Sequence, residues 1–217
     1  MERLHVAVRV TGRFITLEGG EGAGKSTQLK ALAAALSAHG LEVVTTREPG
    51  GSAGAEVIRK LLLKGEGDRW NPRAEALLFA AARADHVEKT IRPALAAGKW
   101  VICDRFLDSS RAYQSEGSGL DDADILALHR FGSEGLLPDR TLVLKLPQKE
   151  AEVRAAVRDG GETDRFSARD RAFHRKVAEA FERYAVLEPQ RFRLIDASGG
   201  AETVTVRLMG ALSDLLT

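Results

Sequence analysis

The chain has 217 residues, of which 44% are hydrophobic and 29% are charged, and its formal net charge is +1. This length fits one domain, or one domain with a small lid, and folding would bury roughly 70% of the surface that the unfolded chain exposes. A net charge near zero provides no global field for nucleic acid or a membrane surface, so we expect neither as a partner.

Three features predict a cytoplasmic protein. No apolar run approaches the roughly 18 residues of a membrane helix, and the N-terminus lacks the apolar centre of a signal peptide. The single cysteine, Cys103, cannot form an internal disulfide, which suits a reducing compartment. Because Cys103 lies in an apolar stretch directly before Asp104, a packed core thiol is a better interpretation than a nucleophile.

Residues 1–12 form an N-terminal extension ahead of the first motif. Val6, Val8 and Val10 alternate with other residues there, which permits an extra edge strand. A disordered leader or an upstream start site agrees equally well with this stretch, so the three interpretations stay open.

A glycine-rich run follows a strand predicted over residues 13–18 and fits the pattern G-x-x-x-x-G-K-[ST] at every fixed position. After it, Leu29, Leu32 and Leu36 recur with helical spacing, and Gly40 suits the end of a helix. In this context the backbone N–H groups and the helix N-terminus bind phosphates, the lysine reaches the β- and γ-phosphates, and the hydroxyl ligates Mg²⁺. The residues predicted to bind the cofactor are Gly19, Gly20, Glu21, Gly22, Ala23, Gly24, Lys25, Ser26 and Thr27.

Strands and helices alternate along the rest of the chain, which predicts an α/β fold with a parallel, doubly wound sheet. The helices are predicted from a cap at Ser52, from Asn71-Pro72 towards Gly98 with a kink or restart at Pro93, and from Asp121 or Asp122 to Gly132. Further helices are predicted over 148–158, over 168–187 and near the C-terminus, and a loop over 105–119. The remaining strands are predicted over 41–46, 99–104, 141–146 and 191–196.

Arg47 and Arg105 each follow a predicted strand directly. Ligands of such sheets bind at the carboxyl ends of the strands, so both side chains would share one edge with the glycine loop. Phosphoryl transfer depends on positioned positive charge, which favours a role for both arginines. Taken alone, each arginine would fit a surface ion pair equally well.

A lid is predicted over roughly 154–167. Arg154, Arg158 and Arg165 flank Gly160-Gly161, and the glycines would let the arginines close over a γ-phosphate. The glycine loop has no arginine of its own, so the charge of the transition state must be met from elsewhere. The alternative interpretation is a solvated, charged helix with a mobile tip.

Phe79 and Arg83 are four residues apart on one predicted helix and therefore share a face. Without further information, a core phenylalanine with a solvent-reaching arginine would be the better interpretation. Longer motifs change that view. Three motifs together resemble the bacterial type of the thymidylate kinase family: the run Thr46 to Gly51, the pair Phe79 and Arg83, and Asp104-Arg105 followed by Ser109 to Gln114. The resemblance extends from Arg13 to Leu216.

The resemblance implies a P-loop kinase fold of five parallel strands with helices on both faces, a lid, and a homodimer. It implies transfer of the γ-phosphate of ATP to dTMP, giving dTDP, with Mg²⁺ bound by Ser26 and assisted by Asp104. Lys25, Arg105 and the arginines Arg154 and Arg158 would be catalytic. The residues expected to bind dTMP are Glu21 at the 3′-hydroxyl, Arg47 and Arg105 at the phosphate, Phe79 and Arg83 at thymine, Ser109 and Gln114 in the base pocket, and Tyr113 at the deoxyribose.

Two departures from the family pattern lie near the predicted lid. Lys145 occupies a position where aspartate often ends the fourth strand, and Ser167 occupies one where glutamate is common. The lid is also longer by a residue or two, which leaves the choice between Arg154 and Arg158 open. Two rival functions remain: a kinase for another nucleoside monophosphate or for a nucleoside, and a nucleotide-binding regulatory protein with the same glycine loop.

Overall fold

The computed structural model describes residues 12–65, 69–147, 150, 154, 166 and 169–216. Its centre is a five-stranded sheet in the order β2-β3-β1-β4-β5, and every neighbouring pair of strands is parallel. The strands are β1 Phe14–Gly19, β2 Val43–Arg47, β3 Trp100–Asp104, β4 Arg140–Lys145 and β5 Phe192–Asp196. All five predicted strands and the α/β class are therefore confirmed.

The helices connect these strands and cover both faces of the sheet. They are α1 Lys25–Ala38, α2 Ala53–Leu63, α3 Pro72–His86, α4 Arg92–Ala96, α5 Leu107–Ser110, α6 Asp122–Ser133, α7 Arg171–Leu187 and α8 Ala201–Gly210. Ser52, Asn71 and Asp121 accept backbone hydrogen bonds as N-caps, as their residue types indicate. No helix within the described ranges has both the length and the apolar character needed to cross a membrane.

Strand side chains alternate between two apolar layers because successive residues of a strand point to opposite faces. Ile15 and Leu17 pack with Leu32 and Leu36 of α1 on one face. Phe14 belongs to a separate cluster on the other face, which also contains the fully buried Cys103. The cysteine is thus a core thiol, and burial raises its pKa well above the usual range.

Three expectations about local structure need correction or refinement. The expected loop over 105–119 is wrong, because α5 is followed there by a π-helical segment, Arg111–Gly117, whose first five residues are buried. The expected helix end at Gly132 is also wrong. Helix α6 ends at Ser133, and the turn is made by Glu134 at φ 51°. Pro93 lies in α4, directly after a second π-helical segment, Val87–Ile91, so the helix restarts there.

Several predictions fall outside the described residues. These are the N-terminal extension up to residue 11, Arg158, Arg165, and most of the predicted helix over 148–158, of which only Glu150 and Arg154 are described, both in helical conformation. The lid therefore stays a prediction. The described strands bring Gly19, Arg47, Asp104 and Asp196 to the same edge of the sheet, because each is the last residue of its strand.

Candidate active site

The glycine loop leads directly into α1. Gly24 precedes the helix at φ 88°, a left-handed conformation that residues with a Cβ adopt at a cost. The buried Lys25 Nζ donates hydrogen bonds to the carbonyl oxygens of Gly19 at 3.1 Å and Gly20 at 2.8 Å. Burial, and then the nearby charge of Arg105, lower the pKa of Lys25 to about 8. A phosphate brought to the loop would favour the charged lysine.

Ser26 and Asp104 provide oxygen ligands at the mouth of the loop. The Ser26 hydroxyl donates to Asp104 Oδ2 at 3.2 Å, so both groups lie within one coordination distance of a common point. Among the residues that the structure describes, no group of three or more His, Cys, Asp and Glu side chains could hold a metal ion. Mg²⁺ is often held by one or two protein oxygens together with substrate phosphates, so this pair fits that ion.

Two cavities meet above the carboxyl ends of the strands. The inner pocket is the smaller of the two, and it is lined by aromatic, aliphatic and charged side chains. Its wall includes the predicted residues Glu21, Phe79, Arg83, Arg105, Ser109, Tyr113 and Gln114. The outer cleft is larger, and it is lined by residues 21–28 of the loop and α1, and by Arg47, Asp104 and Arg154.

Arg105 lies on the wall that the two cavities share. Its Nη1 donates to the carbonyl of Gly19 at 3.2 Å and to Ser109 Oγ at 3.1 Å, while Nη2 donates to Glu21 Oε1 at 2.6 Å. Its backbone adopts φ 69°, which is costly for a residue with a side chain. The guanidinium is thus fixed between the inner pocket and the glycine loop.

Aromatic rings and one buried arginine shape the inner pocket. Phe79 meets Phe166 edge to face, with 5.6 Å between the ring centroids. Arg83 is 3% exposed and donates from Nε to Glu48 Oε2 at 2.8 Å and from Nη2 to Ser110 Oγ at 2.7 Å. Such a pocket suits a flat, apolar ring with a polar edge.

Three predicted arginines differ in where the structure places them. Arg47 lines the outer cleft rather than the inner pocket, and its Nη2 is paired with Glu56 Oε1 at 3.0 Å. Arg154 donates to the carbonyls of Ala197 and Gly199, on the side of the cleft formed after β5. Arg158 lies outside the described residues. Gly19 and Gly20 are not among the residues that line either cavity, and their carbonyls hold Lys25 instead.

Several lining residues were not predicted from the sequence. Glu48 and Arg59 line both cavities. Glu48 directly follows Arg47, and its place in that turn could have identified it. Arg59 lies within α2 and carries no comparable signal. The other inner-pocket residues without a prediction are Pro49, Leu63, Phe106, Ser110 and Phe166.

Beneath this site lies Glu18, a fully buried carboxyl that accepts hydrogen bonds from the backbone N–H of Phe106 at 2.8 Å and from Ser109 Oγ at 2.6 Å. Burial, and then the charge of Asp108, raise its pKa to about 8. The folded protein therefore holds a proton that the unfolded chain releases near pH 4.5, so the free energy of unfolding should fall as pH rises from about 4.5 to about 8.

In the variant Glu18→Gln, whose side chain stays neutral, we expect the free energy of unfolding to fall less between pH 6 and pH 8.5 than in the parent. The difference should be a few kcal/mol. Urea unfolding at a series of pH values measures the difference. Equal slopes for parent and variant would show that Glu18 is ionised throughout this range in the folded protein.

Because Arg105 lines both cavities, a phosphate carried by an inner-pocket ligand would lie next to phosphates bound at the glycine loop. This arrangement, at the carboxyl edge of a parallel sheet, defines a nucleotide kinase of the P-loop class. Comparison with known proteins narrows the class. The family model described as thymidylate kinase matches residues 17–207.

Two relatives and one solved structure illustrate the likeness. A thymidylate kinase of Rhizorhabdus wittichii is 64% identical over 94% of this chain and 99% of its own, and one of Bradyrhizobium is 50% identical over 94% and 91%. The crystal structure of thymidylate kinase from Ehrlichia chaffeensis superimposes with a TM-score of 0.76 at 32% identity, covering 93% of this chain and 98% of that one. The chain belongs to the thymidylate kinase family.

Proposed function

We propose that the protein transfers the γ-phosphate of ATP to dTMP, giving dTDP. The observation that supports this most directly is Arg105, which borders both the inner pocket and the phosphate-binding cleft. A monophosphate whose base occupies the inner pocket would present its phosphate to Arg105, in line with a triphosphate on the loop. ATP consumption that depends on added dTMP is the primary test.

The proposed reaction needs no general base. The second pKa of a phosphate monoester is about 6, so the attacking oxygen is already largely ionised at neutral pH. The barrier lies in bringing two anions together, which Lys25 and Arg105 lower through fixed positive charge. When held by Ser26 and Asp104, Mg²⁺ would neutralise charge on the phosphates.

We assign the remaining contacts by position in the inner pocket. Phe79 would stack on thymine and Arg83 would donate to its polar edge, with Ser109 and Gln114 beside the base. Tyr113 would pack against the deoxyribose and Glu21 would accept from the 3′-hydroxyl. Arg47 would bind the phosphate of dTMP only after its ion pair with Glu56 is broken. An exposed ion pair of this kind stabilises by about 1 kcal/mol or less.

The lid over roughly 154–167 is part of the same proposal. Arg158, close to the glycine pair in the sequence, would meet the transition-state charge on closure. Arg154 lines the outer cleft and donates to the Ala197 and Gly199 carbonyls. Replacing Arg158 should lower kcat more than it weakens dTMP binding. A change in KM alone would contradict this role.

We also propose a homodimer that acts in the cytoplasm as a single kinase domain. Val57, Leu77 and Phe131 are 60%, 56% and 93% exposed, and they lie on α2, α3 and α6, which pack side by side. Apolar side chains exposed on adjacent helices favour burial against a second copy. A monomeric mass in light scattering, unchanged by Phe131→Glu, would contradict the dimer.

Base selection can be tested by comparing dTMP, dUMP and dCMP. Thymine presents the acceptor O4 where cytosine presents the donor N4–H₂, and Arg83 has only donors. A buried donor left unpaired costs about 1–3 kcal/mol, so kcat/KM for dCMP should be lower by roughly tenfold to several hundredfold. Because dUMP lacks the methyl group of thymine, it loses on the order of 1 kcal/mol of binding free energy. Its kcat/KM should therefore lie between the values for dTMP and dCMP.

In Arg83→Ala, the gap between dTMP and dCMP should shrink, mainly through lost dTMP activity. Arg73→Ala is a matched control, because Arg73 lies on the same helix and is exposed. An unchanged gap in Arg83→Ala would show that Arg83 does not read the base. Including dGMP and UMP in the assay tests the rival kinases, and ATP turnover independent of any acceptor would favour the regulatory protein.

A further inference from the structure

A chain of buried polar side chains lies behind the inner pocket. Arg83 Nε donates to Glu48 Oε2 at 2.8 Å, Glu48 Oε1 is 3.0 Å from His86 Nδ1, and His86 Nε2 is 2.7 Å from Thr46 Oγ1. His86 is fully buried, and it is not among the residues that line either cavity. Among the described residues, Glu48 is the hydrogen-bond partner that connects His86 to the pocket wall.

The bonding pattern is complete with a neutral imidazole. Nδ1–H donates to Glu48, and Nε2 accepts from the hydroxyl of Thr46. Glu48 then has one partner on each carboxylate oxygen, the guanidinium on one side and the ring on the other. The carboxylate, which is 4% exposed, cannot rotate without breaking one of these bonds.

Gly51 closes the other side of the ring. A Cβ at this position would collide with His86 Nε2 and with Thr46 Oγ1, and the residue adopts φ 86°. The bare backbone therefore packs directly on the imidazole, and no side chain could replace it there. This packing and the two hydrogen bonds of the ring hold His86 in place beside Glu48.

The guanidinium of Arg83 is held at two of its three nitrogens. Nε bonds Glu48, and Nη2 bonds Ser110 Oγ and the carbonyl of Phe106. Within the described part of the chain, no hydrogen bond uses Nη1, and Arg83 lines the inner pocket. Because the guanidinium is planar, fixing Nε and Nη2 also fixes the direction of the Nη1 donors.

We propose that His86 is a positioning residue for base selection: acting through Glu48, it aims the free donors of Arg83 at the edge of the bound base. The inference rests on the proposed function, because it requires the inner pocket to hold a nucleobase. Without the hydrogen bond from His86, one buried oxygen of Glu48 loses its donor, and the carboxylate shifts from its position beside Arg83. Since recognition tolerates displacements of only about 0.5 Å, the loosened arginine would discriminate bases less well.

Two amide variants separate the two bonds of the ring. The Nδ2 group of asparagine reaches the position of Nδ1, so His86→Asn retains the donor to Glu48. The amide of glutamine reaches the position of Nε2, so His86→Gln retains the contact with Thr46 and loses the donor. The measurements are kcat and KM for dTMP and dCMP, and KM for ATP, in the parent and in each variant.

In His86→Gln, the ratio of kcat/KM for dTMP over dCMP should fall about tenfold, within the range expected for one lost buried hydrogen bond. KM for dTMP should rise while KM for ATP stays unchanged. In His86→Asn, the ratio should remain within about threefold of the parent. His129→Gln is the control, because His129 is also buried but bonds the carbonyl of Leu136, and its ratio should equal that of the parent.

A parent-like ratio in folded His86→Gln, or equal losses in the Asn and Gln variants, would overturn the positioning role alone. A parent that does not phosphorylate dTMP overturns the proposed function and this inference with it. Should His86→Gln fail to fold, Glu48→Gln tests the same link, since its amide nitrogen would face a donor from either Arg83 or His86. An unchanged ratio in that variant would equally contradict the proposal.

Discussion

Replacing Lys25 with alanine should lower kcat by about a hundredfold or more while the protein remains folded, comparable to the loss of one preorganised charge-stabilising group. The side chain is anchored by the carbonyls of Gly19 and Gly20, which aims its ammonium group along the phosphate loop. No apolar contact of the core is removed, so unfolding in urea should change little.

Lys30→Ala is the matched control for this variant, because Lys30 lies on the same helix and is exposed. Single-turnover measurements with saturating ATP and dTMP separate the chemical step from product release. Near-normal turnover in a folded Lys25→Ala protein would show that Lys25 does not stabilise the transferred phosphoryl group.

The second large effect is expected at Arg105, where backbone and side chain can be tested separately. Arg105→Ala and Arg105→Gly both remove the guanidinium that contacts Glu21 and the Gly19 carbonyl. Both should reduce kcat/KM for dTMP by about 10²–10³-fold, because a preorganised charge is lost between the two cavities. At φ 69° a Cβ costs roughly 1–2 kcal/mol, so the glycine variant should be the more stable of the two by about 1 kcal/mol.

Urea unfolding of the two variants, together with steady-state kinetics, checks both parts of this prediction. Arg92→Ala serves as control, because Arg92 pairs with Glu134 away from both cavities. Activity restored in the glycine variant would mean that the guanidinium is dispensable and that only the backbone conformation matters.

The sequence predicted the five strands and the glycine loop correctly because their signals are local. The apolar strand, the phosphate-binding pattern and the helical repeat can each be recognised from a single stretch of about 20 residues or fewer. The segment over 105–119 was misassigned because its serines and glycines suggest a loop. Burial of Arg111 to Ser115 stabilises a helical conformation instead, and burial is a tertiary effect.

Partners that are distant in the chain explain the other gaps. Arg47 lies at the sheet edge beside the glycine loop as expected, but its ion pair with Glu56, nine residues later, was not predicted. Glu48 and His86 are 38 residues apart, and helical spacing predicts the face of α3 on which a side chain lies but not the group it meets. The roles of the individual side chains stay predictions until the variants are measured.

The position of β1 in the sheet has a consequence for how the chain folds during synthesis. Among the strands that the structure describes, β1 comes first in the chain, yet it lies at the centre of the sheet, paired with β3 and β4. Ile15 pairs in register with Ile102 and Arg140, so one edge of β1 waits until nearly half of the 217-residue chain has been made, and the other until almost two thirds has been made. Contacts of such long sequence separation slow folding and leave an apolar strand unpaired in the meantime. Helix α1 follows β1 closely in the chain and packs on Ile15 and Leu17, so it can cover one face of that strand until translation reaches β3.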